Sequence, residues 1–446
     1  MQIDFLIKTF EESKNKDALL WRDETYTYKD LLEKVKYWQE HLKKNKIQPG
    51  TVVGLEGDYS PNTIAILLCL IEMNCIIVPF DYYQQRRNQE KYSIAKLESL
   101  IIVKENDEVS FKKRNQKPDY EYYEILKNDN RPGLVLFTSG SSGEPKAAVH
   151  DFSKLLEKFK TKRKSLRTLN FFLFDHWGGL NTMFHTMANG GIVIPVIDRK
   201  PDVVCKLIEK YKIELLPASP TFLNLLIISG AYQRWDLSSM KVISYGAEPM
   251  PKSTLFKLNQ LFPKVKLLQT YGLIELGVLR SKSKSNESLW VKVGGEGYET
   301  RVVDGILHIK AKSVMLGYLN APSPFTEDGW FITGDEVLQN GDYIKILGRK
   351  SEMINVGGEK VYPAEVESVI QEMDNVAEVT VYGEKNPIIG NIVCASVRLI
   401  SNEDSNVFIS RLKKYCHGKL QKFKIPMKID IVDEELYSER FKKKRV

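Results

Sequence analysis

Strand-like runs of Val, Ile and Leu alternate with stretches of helical apolar spacing along this 446-residue chain, and no other feature limits its fold so tightly. Helical spacing covers Leu31–Leu42, Asn62–Glu72, Val203–Tyr211 and Pro220–Ser229, and strand patterns cover Thr51–Leu55, Ile76–Pro79, Ile213–Pro217 and Lys241–Ser244. A strand that returns to its sheet through a helix lies parallel to the one before, so the alternation predicts α/β layers with largely parallel sheets. From Gly294 to Ile346 short strands separated by Gly and Asp turns take over, such as Val303-Asp304-Gly305 and Gln339-Asn340-Gly341-Asp342, which predicts a β-rich subdomain. After Gly348-Arg349 the texture becomes helix (Pro363–Met373), strand (Ala377–Gly383) and helix (Val407–Leu420). These shifts predict a large N-terminal domain of layered α/β subdomains over residues 1–348, a hinge at 349–351 and a small α+β domain over 352–446.

Composition bounds what such a chain does. Hydrophobic residues make up 43% and charged residues 27%, enough for substantial cores and too long a chain for one compact unit. The longest apolar stretch, Ile64–Phe80, is broken by Glu72 and Asn74 and reads as a buried helix running into a strand rather than a membrane span. The first residues, MQIDFLIKTFEESKNKD, carry early acids and no apolar signal core, so a cytoplasmic location is expected. Five scattered cysteines without C-x-x-C spacing fit reduced thiols and argue against a zinc site. The net charge of +8 is spread along the chain without an aromatic-basic recognition motif, so no nucleic-acid partner is expected. A mild positive field equally suits a nucleotide, coenzyme A or an acidic carrier protein.

The run Thr138-Ser139-Gly140-Ser141-Ser142-Gly143-Glu144-Pro145-Lys146 directly follows the apolar segment Leu134–Phe137. Glycines let backbone N–H groups face an anion, hydroxyls add donors, and Lys146 adds a point charge, so the run is fitted to grip phosphate. It is not a Walker loop, since Gly143 is followed by Glu-Pro-Lys and no hydroxyl succeeds the lysine. The alternative is a solvated Ser/Gly linker.

The spelling of this run resembles the phosphate loop of the adenylate-forming superfamily, which includes acyl-CoA synthetases, adenylation domains and luciferases, and further motifs follow in that family's order. Gln269-Thr270-Tyr271-Gly272-Leu273-Ile274-Glu275 resembles its Y-G-x-T-E element, with Ile274 in the threonine's place. The resemblance implies that Tyr271 and Gly272 lie by the adenine and that Glu275 helps hold Mg²⁺; without the threonine hydroxyl, a donor such as Thr138 compensates or the α-phosphate contact weakens. Gly246-Ala247-Glu248-Pro249 resembles the loop against adenine and acyl pocket. Thr333-Gly334-Asp335 resembles the turn whose aspartate accepts from both ribose hydroxyls, with Arg349 as a cationic partner near the same ribose. The stretch from Gly348 to Glu367 resembles the hinge and following loop of acyl-CoA synthetases: Lys350 and Ser351 would be the hinge, and Gly357 and Gly358 would face the thiol channel once the small domain has rotated.

The final segment, Ser438 to Arg445, aligns with the family's T-x-x-G-K-x-x-R pattern when Lys442 is the adenylation lysine, Lys443 being the adjacent register. Phe174-Asp175-His176-Trp177-Gly178-Gly179 resembles the wall of the acid pocket, which Ser219 and Thr221 would complete. His176 then stands for the gate between acyl pocket and thiol channel. Asp175 keeps two readings open: a polar wall residue, or the partner of an α-amine in an amino acid substrate.

The resemblance implies a ligase that uses ATP and Mg²⁺ to turn a small carboxylic acid into an acyl-adenylate, releasing pyrophosphate. The acyl group then passes to the phosphopantetheine thiol of coenzyme A or a carrier protein. Two rivals are a stand-alone amino-acid adenylating enzyme serving a carrier protein and a non-catalytic nucleotide-binding regulator.

Overall fold

The computed structural model describes residues 2–114, 116–139, 144–295, 297–387 and 389–444. Local signals set its helices. Tyr28–Lys44 begins at a capping box in which the Thr27 hydroxyl accepts from the Asp30 N–H and the Asp30 carboxylate accepts from the Thr27 N–H. Leu31, Val35, Trp38 and Leu42 then bury one face. Pro61–Glu72, capped by Ser60 with Pro61 in its first turn, is apolar on nearly every side and is buried at all residues but Asn62 and Glu72. The strand Ile76–Asp81 follows, so the longest apolar stretch is a buried helix and strand as its two polar interruptions require. Among the described residues no helix is long and apolar enough to cross a membrane.

Two seven-stranded sheets make the layered part of the large domain. In one, the strands Lys266–Gln269, Val242–Tyr245, Leu215–Ala218, Arg167–Asn170, Ile192–Pro195 and Asp17–Trp21 run parallel, with Glu24–Thr27 antiparallel at the edge. In the other, Gly133–Ser139, Ile76–Asp81, Val52–Gly57 and Ser99–Val103 form a parallel centre flanked by antiparallel strands. The expectation of largely parallel sheets holds for both centres. A six-stranded antiparallel sheet over Ser281–Arg349 is the β-rich subdomain.

The small domain has its own core around Ile354, Val366, Val381, Val397, Phe408 and Leu412, under a five-stranded sheet and the helices Pro363–Ile370 and Ser405–His417. A 3₁₀ turn, Lys350–Glu352, follows the strand Tyr343–Arg349 at the junction, with Lys350 and Ser351 exposed. The chain after Lys428–Ile431 then crosses back, and its segment 436–444 lies against the large domain. Strand ends and loops from both domains meet at that contact.

Candidate active site

The expected phosphate-gripping run falls at the junction of two paired antiparallel strands, Gly133–Ser139 and Pro145–Asp151. Gly140, Ser141, Ser142 and Gly143 lie outside the described residues, and so does the side chain of Ser139. Thr138 and Lys146 are register partners on the two strands. The Lys146 ammonium lies 5.9 Å from the centre of the Tyr318 ring, and the Tyr318 hydroxyl donates to Glu275 Oε1 at 2.5 Å. Lysine and carboxylate are thereby tied to one tyrosine.

Glu275 sits in the turn between the short strands Gly272–Leu273 and Gly277–Val278 and is 8% exposed. Gly272 is required there, because a Cβ would stand 2.6 Å from the Gly277 carbonyl oxygen. Ile274, in the family's threonine position, packs against two hydrophobic cores instead of facing a polar ligand.

The Tyr271 hydroxyl donates to Asp335 Oδ2 at 2.6 Å, and Arg349 Nε stands 3.4 Å from Asp335 Oδ1. Asp335 and Arg349 are paired across neighbouring strands, so sheet register brings the two residues together. Burial pushes the Asp335 carboxyl upward, against the pull of the Arg349 guanidinium and the Tyr271 hydroxyl. A carboxylate held on one side by a hydroxyl donor and on the other by a guanidinium is oriented for a diol.

In the Gly246–Pro249 loop, Ala247 adopts φ +73. A Cβ on Gly246 would meet the Thr270 hydroxyl at 2.5 Å, so this backbone packs directly on the start of the Tyr271 motif. Glu248 accepts from the Thr221 N–H at 2.7 Å and from the Lys443 N–H at 3.3 Å, which links the loop to both the acid-pocket segment and the C-terminal tail. Pro220, Thr221, Asn224, Glu248, Leu436 and Tyr437 line a crevice at this junction.

Lys442 is half-buried, and its ammonium lies within electrostatic reach of Arg440, Glu248, Arg349, Glu275 and His176. Burial, then Arg440 and Arg349, bring its pKa down to about 8 against the opposing Glu248 and Glu275. Lys443 is committed elsewhere: its ammonium donates to Glu367 Oε2 and to the Val379 carbonyl, both at 3.0 Å.

His176 caps the helix Trp177–Ala188, its Nδ1 accepting from the Gly178 N–H at 3.0 Å. Burial, with Lys442 and Arg440 nearby, pushes its pKa well below the usual imidazole value. A neutral ring whose Nδ1 accepts carries its proton on Nε2 and can donate there. Asp175 turns toward the tail, where Arg440 Nη2 donates to its Oδ2 at 2.6 Å.

The remaining expected residues are not gathered with these. Trp177 packs against Phe152 and beside Gly277 in the core. Ser219 caps the helix Pro220–Ile228. Gly357 (φ +60) and Gly358 (φ +94) form an exposed turn in the small domain. Tyr318 and Lys91 also belong to the surroundings of the site, and no local motif distinguishes them; Thr270, Arg440 and Phe441 belong there too, inside motifs whose named positions are others.

Residues 7–319 match the AMP-binding enzyme family, and residues 365–443 match the AMP-binding enzyme C-terminal domain. This chain belongs to the AMP-binding enzyme family. An indoleacetate–CoA ligase of Aromatoleum aromaticum is 29% identical over 335 residues, 68% of this chain and 64% of that protein. Acyl-CoA synthetase 7 of Caenorhabditis elegans is 30% identical over 67% of this chain and 61% of its own length, so the matched region spans under two thirds of these relatives. A 2-succinylbenzoate–CoA ligase of Listeria monocytogenes is 26% identical over 97% of this chain and 95% of its own length. Among solved structures, an anthranilate CoA ligase in complex with anthranoyl-AMP superposes with a TM-score of 0.84, at 19% identity, covering 99% of this chain and 95% of that one. The fold is therefore that of the adenylate-forming superfamily, a large N-terminal domain followed by a smaller C-terminal one.

Proposed function

We propose that this enzyme activates a small carboxylic acid with MgATP and passes the acyl group to a phosphopantetheine thiol, of coenzyme A or of a carrier protein. In the first step a carboxylate oxygen bonds to the α-phosphorus as the bond to pyrophosphate breaks, yielding the acyl-adenylate. Charge then grows between the carboxylate and the phosphate, where Lys442 would neutralise it. Asp335, oriented by Tyr271 and Arg349, takes the ribose hydroxyls; Lys146 and the run Thr138 to Gly143 meet the phosphates. Among the described residues no group of three or more His, Cys, Asp or Glu side chains could hold a metal ion unaided. A single carboxylate fits magnesium that arrives bound to triphosphate, so Glu275, steadied by Tyr318, is the residue that would hold it. Bound there, magnesium supplies positive charge to the phosphate oxygens. In the second step the thiol attacks the acyl carbonyl and AMP leaves.

The observation that carries this reading is that Lys442, from the small domain, lies within electrostatic reach of Glu248, Glu275 and His176 of the large domain and of Arg349 at the hinge, while Lys443 is tied to Glu367. A non-catalytic regulator has no use for that arrangement. The matched relatives act on acids named indoleacetate and 2-succinylbenzoate and join them to coenzyme A, which favours a carboxylic acid with coenzyme A as acceptor. Asp175 decides neither reading, because its Oδ2 carries Arg440 and Lys91 while its buried Oδ1 has no hydrogen-bond partner among the described residues. The division at residues 1–348, 349–351 and 352–446, with rotation about Lys350 and Ser351, belongs to this proposal, as does a cytoplasmic location. Pyrophosphate release across aliphatic, aromatic, hydroxy and amino acids tests it: at least one non-amino acid class gives acid-dependent release. Release with α-amino acids alone would transfer the case to the amino-acid-activating enzyme, and nucleotide binding without release under any acid would transfer it to the regulator.

A further inference from the structure

Lys442 extends from a short tail, and the two residues before it fasten that tail to the large domain. Arg440 Nη2 donates to Asp175 Oδ2 at 2.6 Å, and Lys91, on the helix Gln85–Ile94, stands 3.8 Å from the same oxygen. The Asp175 side chain is 5% exposed, so its charge is desolvated and depends on these two cations. Phe441 adopts φ +50, in the left-handed region that disfavours L side chains, at the place where the family pattern carries glycine. Its ring lies 5.5 Å from Phe171 and 5.6 Å from Phe222, both of the large domain, and stacks on Tyr437 at 5.1 Å. An aromatic side chain is thus retained in a glycine conformation, and large-domain rings are what it packs on. With one charged and one apolar contact immediately before it, the backbone that carries Lys442 has little freedom to move.

We propose that Arg440, through its pair with Asp175 and with Phe441 as the apolar anchor, is a positioning residue that holds Lys442 over the site for adenylation. The inference rests on the adenylation reading given above. Both contacts join the two domains, so both must part if the small domain rotates to bring the Gly357–Gly358 turn to the thiol. The pair therefore favours the first half-reaction at the expense of the second. Arg440→Ala leaves Lys91 beside Asp175, so the large domain keeps a cation for its buried carboxylate.

Two measurements test this, one of them independent of catalysis. Spin labels at Tyr37→Cys in the large domain and Val407→Cys in the small one sit on exposed positions, 52% and 59%, and the five native cysteines are buried. Electron–electron distance measurements should give one dominant distance in the otherwise unaltered protein. Arg440→Ala should add a second population or a broad distribution, and Arg440→Lys should restore much of the first. In parallel, Arg440→Ala should slow acid-dependent pyrophosphate release by about 10- to 100-fold with the KM for ATP unchanged, while thioester formation from supplied acyl-adenylate is undiminished or faster. An unchanged distance distribution, or an equal loss in both half-reactions, overturns the proposal. If no acid supports adenylation even in the unaltered protein, the activity reading fails, and the distances alone decide whether Arg440 docks the tail.

Discussion

At the scale of single residues, Lys442 and Lys443 are adjacent in sequence, and the proposed function gives them opposite roles. Lys442→Ala should reduce acid-dependent pyrophosphate release by at least about 100-fold, or about 2.7 kcal/mol, with ATP binding and thermal stability nearly unchanged. Lys443→Ala should instead lower stability by roughly 3 kcal/mol, because Glu367, 2% exposed, keeps a buried charge whose ammonium partner is gone. Thermal melts and half-reaction rates on the two variants separate these outcomes, and a larger adenylation loss in Lys443→Ala would reverse the assignment. Because only the charged form of Lys442 neutralises phosphate and burial has lowered its pKa to about 8, kcat/KM for adenylation should fall as pH rises through that value. Removing the like charge in Arg440→Ala should move this alkaline limb upward; a limb that stays in place would show that another group titrates. Sequence made Glu275, Asp335, Arg349 and Lys442 legible because each sits in a short pattern tied to nucleotide chemistry. It gave no hint of Tyr318, which supports Glu275 from 43 residues away, or of the pairing of Asp175 with Arg440, 265 residues away. Such pairs exist only after folding, and nothing local in the chain encodes them.

At the scale of elements, the helices and parallel strands were readable to within a few residues because apolar period and capping residues act locally. The helix Pro61–Glu72 was expected from Asn62, and the strand Leu215–Ala218 from Ile213. The polar helix Gln85–Ile94, which supplies Lys91, was missed because no apolar stripe marks it. Trp177 was expected in the acid pocket on spelling alone, and its burial against Phe152 follows from which face of its helix meets the core. Two variants belong to this scale. Asp335→Asn leaves one side-chain acceptor where the ribose diol needs two and turns an amide toward the Arg349 guanidinium, so the KM for ATP should rise about tenfold, or about 1.4 kcal/mol. An unchanged KM would remove Asp335 from the ribose site. Gly358→Leu, in a turn where φ is +94 and the space around the Cβ is open, should spare adenylation and slow thioester formation. Wild-type thioester rates in a folded variant would remove this turn from the thiol channel.

At the scale of the whole molecule, the two domains meet through a tail that places a small-domain lysine among large-domain side chains, and under the proposed function that arrangement suits adenylation and not thioester formation. The Gly357–Gly358 turn is exposed in this pose, so the proposed thiol-channel role needs the small domain to move between steps. A large domain followed by a smaller one was legible because sequence texture changes along the chain; the pose was not, because it depends on contacts between segments far apart in the chain. The most direct test of the two-step account is a rapid-mixing measurement with saturating ATP, magnesium and the best acid, first without any thiol. The account predicts a burst of about one pyrophosphate per enzyme, bound acyl-adenylate, and its discharge as thioester and AMP only when the thiol is added, with the burst slowed about 100-fold in Lys442→Ala. Formation of ADP and phosphate, or pyrophosphate release that begins only with the thiol and leaves no bound adenylate, would contradict it.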